Sequence, residues 1–230
     1  MSQAPTDTNP RFFDLVGDMR AMRRLKPDPI PQALLDQVLE AGVQAPSGQN
    51  TQPWKFLVLR ESDGKAWFAR RYKDAIETRF PDMSDADKIA SAPSTKLNRQ
   101  LRALRYQMDH MHKFPVLLIV CGLRDWPFKV PPEERVGLAP PNYGAIYPCV
   151  QNILLACRAV GLGAALTTMH QVFEDELHER FAIPHEYGVV VTIPIGYPLG
   201  NFGPVRRKPA AASTYYDRWG AEPDGSNAKS

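Results

Sequence analysis

Residues 45–54 read Ala45-Pro46-Ser47-Gly48-Gln49-Asn50-Thr51-Gln52-Pro53-Trp54, and this stretch separates a predicted helix from a predicted strand. Before it, residues 34–45 carry apolar side chains at a spacing near 3.6, which predicts an amphipathic helix that Pro46 ends. After it, residues 54–59 form an apolar run that predicts a buried strand. The stretch offers a hydroxyl, an amide and a glycine, which suit a ligand-binding loop, although a plain turn explains the same composition.

Size and composition indicate an ordinary soluble globular protein of one large domain or two small ones. The chain has 230 residues, of which 43% are hydrophobic and 23% charged, and its formal net charge is +3. This mild charge does not favour nucleic-acid binding, and no apolar run approaches the ~20 residues of a membrane span. No signal peptide is visible, and three cysteines without a CxxC pair are typical of reduced, buried thiols. We therefore expect a cytoplasmic protein that binds neither nucleic acid nor membrane.

The order of periodic segments predicts a single α+β domain over residues 9–209, with a sheet covered by helices. Besides the helix and strand above, strands are expected at 115–121, 164–168 and 188–196, and helices at 64–80, 84–113, 144–160 and 171–181. Asn9-Pro10 is typical of the start of a first helix. Residues 1–8 are expected to be flexible, residues 126–142 to form an irregular loop, and residues 210–230 to form a C-terminal tail.

Two basic clusters lie far apart in the sequence, Arg20-Ala21-Met22-Arg23-Arg24 and Arg206-Arg207-Lys208. Each alone fits a solvated surface, and the first fits a cationic helix end. Guanidinium groups also match phosphate oxygens bidentately. The two clusters and the loop at 46–50 together favour a phosphorylated ligand.

The sequence contains no recognisable set of catalytic side chains. Asp109-His110-Met111-His112 places its histidines on different helix faces, which does not favour a metal site. There is no nucleophile-elbow motif, no phosphate-binding P-loop, and no glycine fingerprint that opens a helix after a strand. This absence favours a cofactor that carries the reaction, with no side chain assigned as catalytic acid or base.

Taken in order, the motifs resemble the FMN-dependent nitroreductase family, from about Phe12 to Pro209. They are the first basic cluster, Pro29-Ile30-Pro31, residues 45–54, the run from Gln151 to Gly163, Pro194-Ile195-Gly196-Tyr197-Pro198 and Arg207-Lys208-Pro209. The resemblance implies a nitroreductase-like fold with a central mixed or antiparallel sheet flanked by helices. One departure is Met19-Arg20-Ala21, where family members often carry Arg-Arg-Ser or Arg-His-Ser.

The resemblance also implies which residues hold FMN. Arg20, Ala21, Arg23 and Arg24 would lie at the phosphate and the pyrimidine edge of the ring, where arginines stabilise the negative charge of reduced flavin. The ribityl chain and ring would be lined by Pro46, Ser47, Gly48 and Asn50. The isoalloxazine would lie against Leu166, Thr167 and Thr168, and Arg206 or Arg207 would close on the phosphate.

The implied activity is NAD(P)H-dependent reduction of nitroaromatics, quinones or similar electron-poor acceptors by ping-pong hydride transfer. The family forms homodimers with FMN at the subunit interface, so the tail after Pro198 is expected to wrap the partner. Three alternatives stay open: a flavin-destroying enzyme, a reductive dehalogenase on the same fold, and a non-catalytic flavin-binding protein.

Overall fold

A four-stranded antiparallel sheet organises the chain in the computed structural model, which describes residues 12–124 and 143–220. The strands are β1 (Trp54–Leu59), β2 (Val116–Leu123), β3 (Gly163–Ala164) and β4 (Tyr187–Gly196), in the order β1-β2-β4-β3. The helices are α1 (Phe12–Asp18), α2 (Gln32–Val43), α3 (Ser62–Arg79), α4 (Ala86–Ser91), α5 (Lys96–His110), α6 (Tyr143–Ala159) and α7 (Glu174–Phe181). The predicted α+β class is confirmed.

Helices cover both faces of the sheet, so the two central strands are buried on both sides. Along β2, Val116, Leu118 and Val120 belong to one core cluster, whereas Leu117 and Ile119 belong to the other. This alternation follows from the two-residue period of a strand. The first cluster lies under α2 and α6, and the second lies under α3 and α5. Continuous apolar runs therefore form the central strands, as expected for strands covered on both faces.

The helices α2 and α6 pack closely because Gly42 has no side chain. A Cβ atom at this position would lie 2.7 Å from Cγ1 of Ile153, closer than side-chain atoms approach. Asn152 adds a hydrogen bond from its amide nitrogen to the carbonyl oxygen of Ala41 at 3.2 Å. These contacts hold α2 in place and thereby fix where the stretch at 45–54 begins.

Several predicted boundaries differ from the observed ones. The strand at 54–59 is confirmed, but the helix predicted at 84–113 is split, because Pro93 interrupts it and Thr95 caps α5 with a 3.1 Å bond from the Asn98 N–H. The helix predicted at 171–181 begins only at Glu174, after a 3-10 turn. The strand predicted at 164–168 is reduced to β3 and one bridge between Thr167 and Thr192.

The expected start of the first helix at Asn9-Pro10 and the expected loop at 126–142 lie outside the described residues. Within residues 12–124 and 143–220, no helix combines the length and the apolar character that a membrane span needs.

Candidate functional site

The first basic cluster lies in an extended segment at the edge of the sheet, not in the helix end that the sequence suggested. The α1 helix stops at Asp18, and the Met22 N–H donates to the carbonyl oxygen of Ala164 at 2.9 Å. Leu25 then forms a bridge with Pro198, just beyond β4. Pairing with the sheet edge replaces further helical hydrogen bonds, because Met22 and Leu25 become buried in the core.

Gly163 allows this edge segment to approach β3. A Cβ atom at Gly163 would lie 2.9 Å from both the Cβ of Met22 and the Cδ2 of Leu25. Arg20, Ala21 and Arg24 are exposed in this segment, whereas Arg23 is half-buried. Three arginines therefore lie at the sheet edge, on a backbone segment that is held by its pairing with Ala164 and Pro198.

The segment Leu166–Thr168 follows β3 and runs beside β4. Thr167 exchanges both backbone hydrogen bonds with Thr192, at 2.9 and 3.0 Å. Because backbone groups alternate along a strand, the N–H groups of Leu166 and Thr168 face away from β4. Neither N–H has an acceptor within the described part of the chain. Two backbone donors are therefore available beside the 40% exposed Leu166 side chain.

The second basic cluster returns to the neighbourhood of the first. The Val205 N–H donates to the carbonyl oxygen of Gly17 at 3.0 Å, and Arg206 and Arg207 follow directly along the tail. The tail is also held by Phe202, whose ring centre lies 4.3 Å from the Arg158 guanidinium carbon. Residues more than 180 positions apart in the sequence are thereby joined beside the end of α1.

The arginines of this region lack carboxylate partners. Among the described residues, no Asp or Glu oxygen lies within 4.0 Å of a guanidinium nitrogen in any of five arginines: Arg20, Arg23, Arg24, Arg206 and Arg207. The nearest acidic residue along the chain, Asp18, already accepts a 3.3 Å bond from Arg158. Arg24 instead lies over the ring of Tyr106 at 5.4 Å. Unpaired guanidinium groups next to free N–H donors fit a ligand that has a phosphate and acceptor atoms.

The loop at 46–50 has an unusual backbone. Gln49, Asn50 and Gln52 have positive φ angles of 53°, 53° and 48°, which side-chain-bearing residues seldom adopt. The Ser47 hydroxyl oxygen accepts the Gln52 N–H at 2.8 Å and holds this conformation. Pro46, Gly48 and Asn50 are exposed. Strained backbone of this kind is concentrated at ligand-binding loops, so the geometry agrees with the sequence interpretation.

The strand register separates the start of β1, which follows this loop, from the basic edge. The loop leads into Trp54, which pairs with Gly122, and Gly122 in turn pairs with Gly188 of β4. The basic segment instead lies beside Ala164, which pairs with Ile195. The interval from Gly188 to Ile195 corresponds to about 20 Å along an extended strand. The strand that follows the loop therefore starts at the opposite end of the sheet from the basic segment. The Leu166–Thr168 segment, which pairs with Thr192, lies between the two.

Two polar side chains near the basic edge were missed by the sequence interpretation. The Tyr72 hydroxyl accepts a 3.0 Å bond from the amide nitrogen of Gln107. Burial raises the pKa of Tyr72, although Thr167 and the charge of Arg23 oppose this rise. Neither residue belongs to a motif. The only sequence indication is that each polar residue stands on the otherwise apolar face of its helix.

The chain belongs to the nitroreductase family, whose sequence pattern matches residues 18–197. It is similar to iodotyrosine deiodinase from Danio rerio, with 35% identity over 85% of this chain and 62% of that protein. It is also similar to the Bacillus subtilis (strain 168) protein YfhC, whose name assigns it provisionally to the NAD(P)H nitroreductases. That identity is 23%, over 80% of this chain and 83% of YfhC.

Solved structures share the fold. Oxidised iodotyrosine deiodinase bound to FMN and 3-iodo-L-tyrosine superimposes with a TM-score of 0.65, at 24% identity, over 86% of this chain and 95% of that chain. A BluB-like flavoprotein from Clostridium difficile 630 gives a TM-score of 0.67, at 18% identity, over 91% of this chain and 100% of that chain. The nitroreductase-like fold predicted from the sequence is thus confirmed.

Proposed function

We propose that this chain is an FMN-dependent oxidoreductase that uses NAD(P)H to reduce electron-poor acceptors such as nitroaromatics and quinones. The observation that carries the proposal is the set of unpaired arginines beside the free N–H groups of Leu166 and Thr168. FMN has a phosphate and a ring edge with acceptor atoms, so both of its ends match this set. Solved relatives with the same fold that contain bound FMN support the choice of cofactor.

The residues have distinct roles in this proposal. Arg20, Arg23 and Arg24 hold the phosphate and the pyrimidine edge, and Arg206 or Arg207 closes on the phosphate from the tail. Ala21 contributes backbone only. The N–H groups of Leu166 and Thr168 orient the ring, and the exposed Leu166 side chain excludes water from it. When bound, FMN supplies the hydride transfer from NAD(P)H to the acceptor.

Fluorescence quenching tests the cofactor assignment directly. Free FMN is fluorescent, and we expect added protein to quench it with one FMN bound per chain. A colourless protein that leaves the FMN fluorescence unchanged at high protein concentration would contradict the proposal. Inorganic phosphate at high concentration should weaken binding, because it competes for the same guanidinium groups.

The site is completed by a second copy of the chain. This proposal is supported by the strand register, because β1, which follows the loop at 46–50, starts about 20 Å along the sheet from the basic edge. In a homodimer, the partner's loop can lie against the ribityl chain and ring through its Pro46, Ser47, Gly48 and Asn50. The exposed tail beyond Pro198 would then wrap around the partner, as expected from the sequence.

A mixed dimer distinguishes a shared site from a site within one chain. One chain carries Arg20→Ala and Arg23→Ala, and the other carries Ser47→Ala and Asn50→Ala, so that each homodimer has impaired sites. If the site is shared, a mixed dimer has one intact site and one doubly altered site, and FMN binding returns at half stoichiometry. If the site lies within one chain, mixing restores no binding.

Reductive dehalogenation is a second candidate, favoured by the 35% identity to a deiodinase over 85% of this chain. Turnover of 3-iodo-L-tyrosine and of a nitroaromatic, measured with the same reductant, separates the two activities. Loss of the flavin chromophore under air with excess NADPH would instead support the flavin-destroying alternative. FMN binding without any reduction by NADH or NADPH would support a non-catalytic flavin-binding protein.

A further inference from the structure

Arg158 lies where the two basic clusters meet, although it belongs to neither. It is in the last turn of α6, and its side chain is 19% exposed. One guanidinium nitrogen donates to the Asp18 carboxylate at 3.3 Å, just before Arg20 in the sequence. The guanidinium carbon lies 4.3 Å from the ring centre of Phe202, shortly before Arg206. A single side chain therefore contacts both of the segments that carry the clusters.

Packing alone does not account for an arginine at this position. Among the described residues, the Arg158 Nε–H group is buried and has no hydrogen-bond partner. A buried donor without an acceptor costs free energy, and an apolar side chain would cover Phe202 without that cost. A planar guanidinium group, in contrast, can stack on a ring and bind a carboxylate at the same time. The residue type therefore fits a position that joins Phe202 to Asp18.

The backbone of the tail is held at the same junction. The Val205 N–H donates to the carbonyl oxygen of Gly17 at 3.0 Å, three residues after the stacked Phe202. Arg206 and Arg207 are exposed and follow directly. Their position beside the first cluster therefore depends on the anchors at Phe202 and Val205. The tail is held on its own chain as far as Val205, so a segment that wraps around a partner begins beyond this residue.

We propose that Arg158 is a positioning residue that holds the second basic cluster against the first and keeps Asp18 from pairing with Arg20. Its stacking on Phe202 anchors the tail, and its bond to Asp18 satisfies the carboxylate that is closest to Arg20 along the chain. Both effects leave arginines from two distant segments available to one phosphate group. The inference rests on the proposed function for the identity of that ligand.

Limited proteolysis tests the anchor in the absence of FMN. Trypsin cleaves after Arg206 and Arg207, and Arg218, further along the exposed tail, is an internal reference. Cleavage at each position is measured from the mass of the shortened chain. In Arg158→Leu and in Phe202→Leu, we expect cleavage at Arg206 and Arg207 to become about fivefold to tenfold faster, because the stacking is lost. Cleavage at Arg218 should be unchanged.

Two control variants separate loss of the anchor from general destabilisation. Phe202→Tyr keeps the aromatic ring and should retain the wild-type cleavage rates. Arg71→Leu is the matched change, because Arg71 lies 5.8 Å from the ring centre of Phe173 and is paired with Glu176. It therefore loses the same kinds of contact on α3, none of which involves the tail. Cleavage at Arg207 should match the wild type in Arg71→Leu.

FMN binding provides the second measurement. We expect the Kd for FMN to rise about tenfold in Arg158→Leu and about fivefold in Phe202→Leu, because the second cluster is no longer held at the phosphate. Phe202→Tyr and Arg71→Leu should stay within about twofold of the wild type. Wild-type cleavage rates in both leucine variants at residues 158 and 202 would overturn the inference, and so would faster cleavage without weaker FMN binding.

A double variant tests the role of Asp18. Arg158→Leu with Asp18→Asn should bind FMN about threefold more tightly than Arg158→Leu alone, because no released carboxylate is left to pair with Arg20. Equal affinities would contradict this part of the inference. If the wild type binds no FMN, the proposed function fails, while the cleavage rates still decide whether Arg158 anchors the tail.

Discussion

Arg105 in the helical layer and the arginines of the sheet edge have opposite surroundings. In the layer, the Arg105 guanidinium is bonded to both carboxylate oxygens of Asp109, at 2.7 and 2.9 Å, and to Glu77 at 2.9 Å. At the edge, Arg20 and Arg23 have no carboxylate within 4.0 Å among the described residues. The same residue type therefore serves structure in one region and, in our proposal, leaves its charge free for a ligand in the other.

Other cations of the fold are also paired with carboxylates. Lys73 joins Asp109 at 3.0 Å, Arg71 is paired with Glu176, and Arg124 is bonded to Glu174 at 2.7 Å. Charged pairs of this kind satisfy each other and hold neighbouring helices together. The unpaired edge is consequently not explained by a shortage of acidic residues, since the chain has 25 of them.

The largest expected effect is on stability, at Arg105. Arg105→Ala removes bonds to two carboxylates and to the Met83 carbonyl oxygen from a side chain that is only 14% exposed. We expect the free energy of unfolding to fall by about 2–3 kcal/mol, measured by urea denaturation. Arg99→Ala on the same helix, at an exposed position, is the control and should change it by less than about 0.5 kcal/mol. Equal effects of the two changes would show that the hydrogen bonds and ion pairs of Arg105 do not stabilise the fold more than an exposed arginine does.

The converse change at the sheet edge should affect ligand binding instead. Arg20→Ala is expected to raise the Kd for FMN about 30-fold, equivalent to about 2 kcal/mol, because a phosphate oxygen loses its charged partner. The free energy of unfolding should stay unchanged, since no ion pair of the described residues is lost. Isothermal titration with FMN measures the first quantity and urea denaturation the second. Unchanged FMN affinity would show that the phosphate lies elsewhere.

A change at Gly163 tests whether the position of the edge matters. Gly163→Ala places a methyl group 2.9 Å from the Met22 Cβ and displaces the basic segment. We expect a loss of about 1–2 kcal/mol in stability together with weaker FMN binding. Gly200→Ala is the matched control, because a Cβ atom there meets nothing within 4 Å. Unchanged FMN affinity in Gly163→Ala would show that FMN does not bind at this edge.

The smallest expected effect is on the acid dependence of stability. Burial alone would raise the pKa of Asp109, but hydrogen bonds from Arg105 and Lys73 outweigh it and hold the pKa below its usual 3.8. A carboxyl whose pKa is lower in the folded state stabilises the fold above its unfolded pKa. That stabilisation is lost as the pH falls through the folded value. In Asp109→Asn, the free energy of unfolding should therefore fall less steeply with decreasing pH below about pH 4 than in the wild type. An equally steep decrease, measured by urea denaturation at several pH values, would contradict this prediction.

Local features of the fold could be predicted from the sequence, and contacts between distant elements could not. The strand at 54–59 was predicted at its observed bounds because Pro53 and Arg60 flank an apolar run. The interpretation of the first basic cluster as a helix end was wrong, because pairing of Met22 and Leu25 with the sheet edge makes this segment extended. Helical spacing alone gives no information about that pairing.

Only some residues of the candidate site could be predicted from the sequence, for the same reason. The two basic clusters could be recognised in the sequence as charged motifs. Tyr72 and Gln107 could not, since their hydrogen bond depends on α3 and α5 packing together. The order of motifs also did not indicate that β1, which follows the loop at 46–50, starts at the opposite end of the sheet from the basic edge. That separation appears only in the strand register.

The visible spectrum of purified protein with FMN, recorded before and after anaerobic addition of NADPH, tests the central claim most directly. We expect a bound oxidised-flavin spectrum that bleaches on addition of NADPH and returns when a nitroaromatic or quinone is added. The Arg20→Ala protein should show mainly free flavin at the same concentrations. A wild-type protein that retains no flavin, or whose bound flavin is reduced by neither NADPH nor NADH, would contradict the assignment of an FMN-dependent oxidoreductase.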